Sequence, residues 1–229
     1  MRDAFEAGAE IEKLFLSEKV VNSGELGGKF MTEFARSENA YLLREELFSK
    51  ISGTESPQGV LAVVRQPKID LEKLLREAKF VILLENVQDP GNLGTIVRTA
   101  DAVGADLVLL AEGCVDVYNS KVVRSTMASL FHVPVARVGD MGECIASLKD
   151  KGLKIVATSG ESEISYQNAD LKGKIALVFG NEANGLTEET LELSDEIVSI
   201  PMPGRAESLN IAVAAGVIMF EKIATRNKM

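Results

Sequence analysis

Six short apolar runs separated by amphipathic stretches dominate the pattern of the chain from residue 80 onward. The runs are continuous rather than alternating, which is typical of strands buried on both faces of a parallel sheet. The stretches between them have helical periodicity, so the pattern predicts an α/β fold with helices on both faces of that sheet. The predicted strands lie at residues 80–85, 106–112, 132–137, 154–160, 175–180 and 196–202.

The first 66 residues have a different texture and predict a separate small α/β domain. Short patterned pieces at 11–17 and 59–64 flank a predicted helix over 37–52. Residues 67–78 combine a proline with a charged amphipathic stretch, and we interpret them as a linker that runs into a helix. The larger parallel-sheet domain is then expected at 79–229.

Composition excludes several functional classes. The chain has 229 residues, of which 34 are acidic and 25 are basic, and its formal net charge of -9 argues against indiscriminate nucleic-acid binding. RNA binding would therefore require a local patch and would depend on salt. Cys114 and Cys144 form no CxxC pair and His132 is the single histidine, so neither a disulfide framework nor a metal site is predicted. We expect two buried free thiols and a structural histidine.

No membrane segment is predicted. The longest apolar stretch, residues 211–220, is well short of the roughly 20 residues that span a bilayer. The first 15 residues mix acidic and basic side chains without the apolar core of a signal peptide, so we expect a cytoplasmic protein.

The first strand of the predicted sheet is not followed by a GxGxxG turn, which disfavours a nicotinamide dehydrogenase. Residues 85–106 instead contain a Pro-Gly turn and a helix that Asn92 is predicted to cap and Gly104 to end. At about 100° per residue, Arg98 falls opposite the apolar stripe of this helix, either as an ordinary solvated arginine or as a functional group. The stripe consists of Leu93, Ile96, Val97, Ala100 and Val103.

The second candidate functional segment is residues 176–189. Its strand ends at Gly180, which allows a ligand to approach the main chain, and Thr187 is predicted to cap the next helix. Glu182, between two glycine-containing turns, is either a solvated loop carboxylate or a functional one.

The third segment is residues 200–221, in which two prolines keep the strand exit extended. A long helix rich in small residues is predicted to begin near Ser208. Ser208 and Asn210 are either helix caps or site residues, and the small-residue stripe packs either in the core or at a subunit interface.

Together the three segments resemble the motifs of the SpoU (TrmH) family of RNA 2'-O-methyltransferases, which belongs to the SPOUT superfamily. The resemblance covers about residues 80–224, and residues 56–64 resemble the end of the small RNA-binding domain of many members. That first domain looks truncated, because relatives usually begin with a further strand and helix. The motif residues are Asn92, Gly94 and Arg98, then Gly180, Glu182, Gly185 and Leu186, then Pro201, Met202, Ser208, Leu209 and Asn210.

The resemblance implies S-adenosylmethionine as cofactor, a C-terminal trefoil knot, a homodimer and an active site near the subunit interface. It also implies the site residues. The catalytic set is Arg98, Asn92, Glu182, Ser208 and Asn210. Independently of the resemblance, Lys121 and Arg124 lie three positions apart on a predicted helix and are either phosphate contacts or part of an ordinary solvated face. The cofactor-binding set is Thr158, Ser159, Gly160, Phe179, Gly180, Asn181, Glu182, Ile200, Pro201, Met202, Ser208, Leu209 and Asn210.

The implied reaction places Arg98 at the centre of the chemistry. An arginine is a poor general base because its side chain stays protonated, so we favour a clamp on a neighbouring phosphate that also stabilises the developing alkoxide. The proton would pass to water or phosphate. The expected substrate is structured RNA, most simply ribosomal RNA with transfer RNA as the alternative. A non-catalytic RNA-binding or ribosome-assembly protein with the same fold is the rival hypothesis.

Overall fold

The structure is a computed structural model that describes residues 2–23, 38–181 and 183–226. The chain divides into two compact units, Met1–Lys68 and Ile69–Met229. The boundary lies near the beginning of the predicted linker, and most of that linker, from Ile69 onward, belongs to the larger unit. There Asp70 caps a helix at Leu71–Glu77, whose Leu75 is buried in the core.

The smaller unit contains a three-stranded sheet in the order β2-β1-β3. Strand β1 runs parallel to β2 and antiparallel to β3. The buried side chains of Leu14 and Leu16 on β1, together with Phe48, form its core. Its elements are α1 (Arg2–Glu6), β1 (Ile11–Ser17), α2 (Glu18–Ser23), β2 (Ala40–Leu43), α3 (Glu45–Ser52) and β3 (Val60–Val64).

The helix predicted over 37–52 was wrong at its beginning. Residues 40–43 pair with β1 as a parallel strand, and Arg44 remains extended at φ -60° and ψ 147° before α3 begins. Pairing along the backbone of β1 thus outweighs the local helical pattern of this stretch. Residue 37 itself lies outside the described part of the chain.

The larger unit contains one sheet of six parallel strands in the order β6-β5-β4-β8-β7-β9. Each strand lies within one of the six predicted runs, which confirms the predicted α/β architecture. The strands are β4 (Phe80–Leu84), β5 (Leu107–Leu110), β6 (Val135–Arg137), β7 (Lys154–Thr158), β8 (Ile175–Phe179) and β9 (Glu196–Val198). The helices are α4 (Leu71–Glu77), α5 (Pro90–Ala102), α6 (Ser120–Ser125), α7 (Met141–Asp150), α8 (Glu188–Glu192) and α9 (Ile211–Arg226), with short 3₁₀ turns at Ser129–Phe131 and Tyr166–Asn168.

Helices cover the sheet on both faces, and two separate apolar clusters form its core. One cluster joins the sheet to α5, α6 and α9, and it contains all five residues of the predicted α5 stripe. The other joins the sheet to α4 and α7, with α8 packed against it. Burial on both faces explains why the strand sequences are continuously apolar.

The chain connections leave β4 and β8 toward opposite edges of the sheet, so the topological switch point lies between these two strands. After β4 the chain continues to β5 on one side, whereas after β8 it continues to β9 on the other side of the sheet. Ligands in open α/β sheets bind in the crevice outside the carboxyl ends of strands at such a switch. The fold therefore directs attention to the loops that follow β4, β7, β8 and β9.

Candidate active site

A cavity of about 490 Å³ lies at the carboxyl ends of β7, β8 and β9 and is closed on one side by α9. Ten of the predicted cofactor-binding residues line it: Thr158, Ser159, Gly160, Phe179, Gly180, Asn181, Ile200, Met202, Ser208 and Leu209. Pro201 and Asn210 are not among the lining residues, and Glu182 lies outside the described residues.

The charge of the cavity wall is a feature that the sequence motifs did not reveal. Glu161, Glu188 and Glu207 line the cavity, and no described lining residue is Lys, Arg or His. Such a wall favours a cationic ligand and disfavours a phosphate-bearing dinucleotide, for which charge complementarity would require the opposite sign. Three residues of α9 that line the cavity, Ile211, Ala214 and Ile218, were also missed because the helix face could not be oriented from sequence.

Gly180 is required by the chain's own backbone. A Cβ atom at this position would lie 2.3 Å from the carbonyl oxygen of Gly185 and 2.5 Å from the nitrogen of Leu186. Asn181 and Gly185 exchange two backbone hydrogen bonds of 2.9 Å, and Gly185 has a φ of 67°. The glycine thus permits a tight loop whose residues line the cavity.

Of the residues considered as helix caps, Asn92 and Ser208 do not cap a helix, whereas Asn210 does. Asp89, not Asn92, caps α5 by accepting a hydrogen bond from the Asn92 backbone N–H at 2.8 Å, with Pro90 at the first helical position. Helix α9 begins at Ile211 rather than near Ser208, and the side-chain oxygen of Asn210 accepts the Ala212 N–H at 2.9 Å. Ser208 is instead a lining residue of the cavity. The cap of α8 by Thr187 is confirmed.

A hydrogen bond between two motif residues joins the starts of α5 and α9. The side-chain amide of Asn210 donates to the side-chain oxygen of Asn92 at 2.9 Å. These residues are 118 positions apart in sequence, so only the fold brings them together. The pair connects the helix that carries Arg98 to the helix that closes the cavity.

Arg98 lies on the exposed face of α5, opposite the buried stripe, as predicted. It has no hydrogen bond or ion pair within the described residues. The acid three positions later, Asp101, instead pairs with His132 at 3.0 Å. A cation without a partner on a face of small side chains is accessible to an anionic group of a ligand. The other exposed members of this face are Gly91, Thr95 and Ala102.

Helix α6 packs closely against α5 and carries the two predicted phosphate contacts. Lys121 and Arg124 are both exposed on α6. A Cβ atom at Gly94 would lie 2.3 Å from the Cβ of Ser125, so the motif glycine allows the two helices to approach. The motif thus has a packing role that places these cations beside α5.

The cysteines and the histidine lie outside the cavity wall. Both thiols are free and buried, as predicted, and burial raises the pKa of Cys114 and raises the pKa of Cys144 to about 11. Both thiols therefore remain protonated at neutral pH and are poor nucleophiles. Within residues 2–23, 38–181 and 183–226 no group of three or more His, Cys, Asp or Glu residues is arranged to hold a metal ion. The described helices include none with the length and apolar character to cross a membrane.

Residues 79–220 match the SpoU rRNA Methylase family. The chain belongs to this family. SpoU relatives include the 23S rRNA (guanosine(2553)-2'-O)-methyltransferase RlmP of Bacillus subtilis, which is 41% identical over 180 residues, 79% of this chain and 71% of RlmP. A 23S rRNA (guanosine-2'-O-)-methyltransferase, RlmB of Xanthomonas axonopodis pv. citri, is 36% identical over 77% of this chain and 74% of its own length.

Solved methyltransferase structures are similar to this chain over almost its whole length. AviRb from Streptomyces viridochromogenes, in complex with AdoMet, has a TM-score of 0.85 and 30% identity, covering 100% of this chain and 88% of AviRb. An AdoMet-bound rRNA methyltransferase from Sinorhizobium meliloti has a TM-score of 0.84 and 33% identity, covering 98% and 84%. The predicted family and the predicted α/β fold with a parallel sheet are confirmed.

Proposed function

We propose that this chain transfers a methyl group from S-adenosylmethionine to a ribose 2'-hydroxyl of ribosomal RNA. The observation that carries the proposal is the convergence of the three motif segments. The second and third motifs line one cavity, and the Asn92–Asn210 hydrogen bond attaches the first motif to it. The named activities of the RlmP and RlmB relatives support ribosomal RNA as the substrate.

The cavity fits S-adenosylmethionine in size and charge. Its volume of about 490 Å³ lies within the range of about 300–1,000 Å³ that is usual for small-molecule sites. The three lining glutamates complement the sulfonium and ammonium charges, and the side chains of Phe179, Leu209 and their apolar neighbours offer surface to a purine. Bound there, this cofactor supplies an electrophilic methyl group.

Outside the cavity, Arg98 binds the RNA, and the 2'-hydroxyl proton is released. Arg98 binds a phosphate next to the reacting ribose and stabilises the negative charge that develops on the 2'-oxygen. The hydroxyl proton passes to water or to the phosphate, because an arginine side chain stays protonated. Asn92 and Asn210 hold the two helices in register, and Ser208 orients the reactants from the cavity wall.

We place further RNA contacts on α6 and on the small unit. Lys121 and Arg124 are exposed and supply cations for RNA phosphates. In the small unit, the rings of Phe15 and Tyr41 stack with centroids 5.5 Å apart, and Tyr41 is 43% exposed. Exposed aromatic rings bind unpaired bases by stacking, so this sheet face suits an RNA-binding domain.

The C-terminal part of the chain supports two further proposals. The loop after β7 and the exit of β9 are held together, with Tyr166 N–H donating to Ser199 O and Ser199 N–H donating to Ile164 O, both at 2.8 Å, which suits a trefoil knot. On α9, Val213 and Phe220 are 53% and 55% exposed and lie two turns apart on one face. We assign this apolar face to a homodimer interface. The reaction then takes place in the cytoplasm with the ribosomal RNA.

Calorimetric titration tests the cofactor assignment. We expect saturable binding of S-adenosylmethionine and of its thioether product, and no binding of NAD under the same conditions. Absence of S-adenosylmethionine binding at about millimolar concentration, roughly 4 kcal/mol of affinity, would favour a non-catalytic RNA-binding protein. Binding followed by methylation of transfer RNA in place of ribosomal RNA would retain the enzyme class and replace the substrate.

A further inference from the structure

A carboxylate that belongs to none of the three motifs is buried at the end of β4. Glu85 is only 8% exposed and directly follows the strand. Its backbone N–H donates to Phe179 O at 2.9 Å, so Glu85 extends the pairing between β4 and β8 at the topological switch point of the sheet. An isolated charge at such a position is costly unless it is well hydrogen-bonded.

The Glu85 carboxylate accepts three hydrogen bonds from the start of α8. Oε2 accepts the Thr187 backbone N–H at 3.0 Å, while Oε1 accepts the hydroxyls of Thr187 at 2.9 Å and Thr190 at 3.1 Å. The residues are more than 100 positions apart in sequence. Charge-assisted hydrogen bonds of this kind fix geometry as well as adding stability.

The next residue, Asn86, holds the other end of the same loop. Its carbonyl oxygen accepts the side-chain amide of Asn181 at 3.0 Å, and the Asn181 side-chain oxygen in turn accepts the Ala183 N–H at 2.8 Å. The loop between Asn181 and Thr187 is thus attached at both ends to the segment 85–86. Four residues of this part of the chain, Asn181, Asn184, Gly185 and Leu186, line the cavity.

We propose that Glu85 is a positioning residue that sets the shape of the cofactor site by holding this loop against β4. The inference rests on the proposed function, because it takes the cavity to be the site of S-adenosylmethionine. Glu85 itself does not line the cavity, so its effect passes through Thr187 and the loop. Loss of the Glu85 carboxylate should therefore impair cofactor binding rather than the chemical step.

Asp106, the exposed residue before β5, provides a control because it acts at the opposite end of β4. Its carboxylate accepts the backbone N–H groups of Lys79 and Phe80, both at 2.8 Å, far from the carboxyl ends that form the cavity. Glu85→Ala and Asp106→Ala each remove a carboxylate that holds β4, and both should lower the melting temperature. Only E85A should also weaken cofactor binding, by about tenfold. The reason is that the loop, once it loses these buried hydrogen bonds, no longer holds its lining residues in place.

The experiment compares the Kd for S-adenosylmethionine and the methylation rate at saturating cofactor in the wild type, E85A, E85Q, T187V and D106A. Glu85→Gln keeps the length and one acceptor and should restore binding to within about threefold, while T187V, without the hydroxyl, should be intermediate. All variants should retain the wild-type rate at saturation within about threefold. If E85A does not fold, T187V against D106A decides the question, because only T187V is then expected to weaken cofactor binding. Equal Kd values in E85A and the wild type, or an equal loss in D106A, would overturn the inference, whereas a wild type that binds no cofactor would overturn the proposed function.

Discussion

Arg98 is exposed, without a partner in the described chain, and surrounded on its helix face by Gly91, Thr95 and Ala102. An acid three or four positions away can pair with an arginine on a helix, and here that acid, Asp101, is engaged by His132. The arrangement keeps the guanidinium available to a substrate phosphate. Its role is therefore testable apart from folding and from cofactor binding.

Substitution of Arg98 by alanine should lower kcat for methyl transfer by about 10²–10³, the usual cost of removing one donor from a developing oxyanion. The Kd for S-adenosylmethionine should stay within about twofold, because Arg98 is not a lining residue of the cavity. Arg98→Lys keeps the charge but loses the bidentate fork, so an intermediate rate is expected. Single-turnover kinetics measure the methyl-transfer rates of both variants. An R98A rate equal to that of the wild type would remove Arg98 from the mechanism.

A second residue-scale feature is Ala128, which follows α6 at φ 80° and ψ -7°. Alanine in this left-handed region costs about 1 kcal/mol, and glycine does not. Ala128→Gly should therefore raise the free energy of unfolding by roughly 0.5–1 kcal/mol and the melting temperature by about 2 °C. Ala102→Gly, at the end of α5, should have the opposite sign. Calorimetric melting of both variants checks the pair, and a destabilised A128G would contradict the argument.

At the scale of elements, the contact between α5 and α6 depends on the absence of a side chain at Gly94. The added methyl of Gly94→Ala would meet the Cβ of Ser125 at 2.3 Å and the carbonyl oxygen of Val122 at 3.0 Å. We expect a loss of roughly 1–3 kcal/mol in unfolding free energy, the usual range for overpacking.

Two variants make that measurement specific. Ser125→Gly in the G94A background should recover part of the stability, because it removes the nearest clash. Gly139→Ala, where nothing lies within 4 Å of the new Cβ, should be close to neutral. Equal melting temperatures for G94A and G139A would show that the helices separate without cost.

The hydrophobic pattern predicted those elements whose burial is evident from their own apolar residues. The six strands and the stripe on α5 followed from continuous or periodic apolar residues, and the cap by Thr187 followed from local chemistry. Strand β2 was missed because its pairing with β1 is a tertiary event that residues 40–43 do not encode. Asp89 was overlooked as the cap of α5 because two polar candidates flank the Pro-Gly turn.

The site was predicted in part for the same reason. Predicted cofactor-binding residues on the loops after β7, β8 and β9 line one cavity, while the acidic wall and the Glu85 network depend on contacts between distant segments. Glu85 reads in sequence as the last residue of an apolar run. Only the position of Thr187, 102 residues later, shows what its carboxylate holds.

At the scale of the whole molecule, the exposed apolar face of α9 predicts self-association. The opposite face of this helix, with Ala212 and Ala215, is buried in the core, so Val213 and Phe220 are available for a second copy. Light scattering should show a dimer for the wild type and a monomer for the double variant V213E/F220E. Val63→Glu, on a residue of the small unit that is 42% exposed, should remain dimeric. A monomeric wild type would remove the interface.

The central claim is that methyl transfer goes to a ribose oxygen of ribosomal RNA and depends on Arg98. The direct measurement is transfer of labelled methyl from S-adenosylmethionine to unmodified ribosomal RNA, followed by alkaline hydrolysis and mapping of resistant linkages. The account predicts label at an alkali-resistant 2'-O-methyl linkage with the wild type and almost none with R98A. Label confined to alkali-sensitive nucleotides would mean that a base is methylated, and would contradict the account.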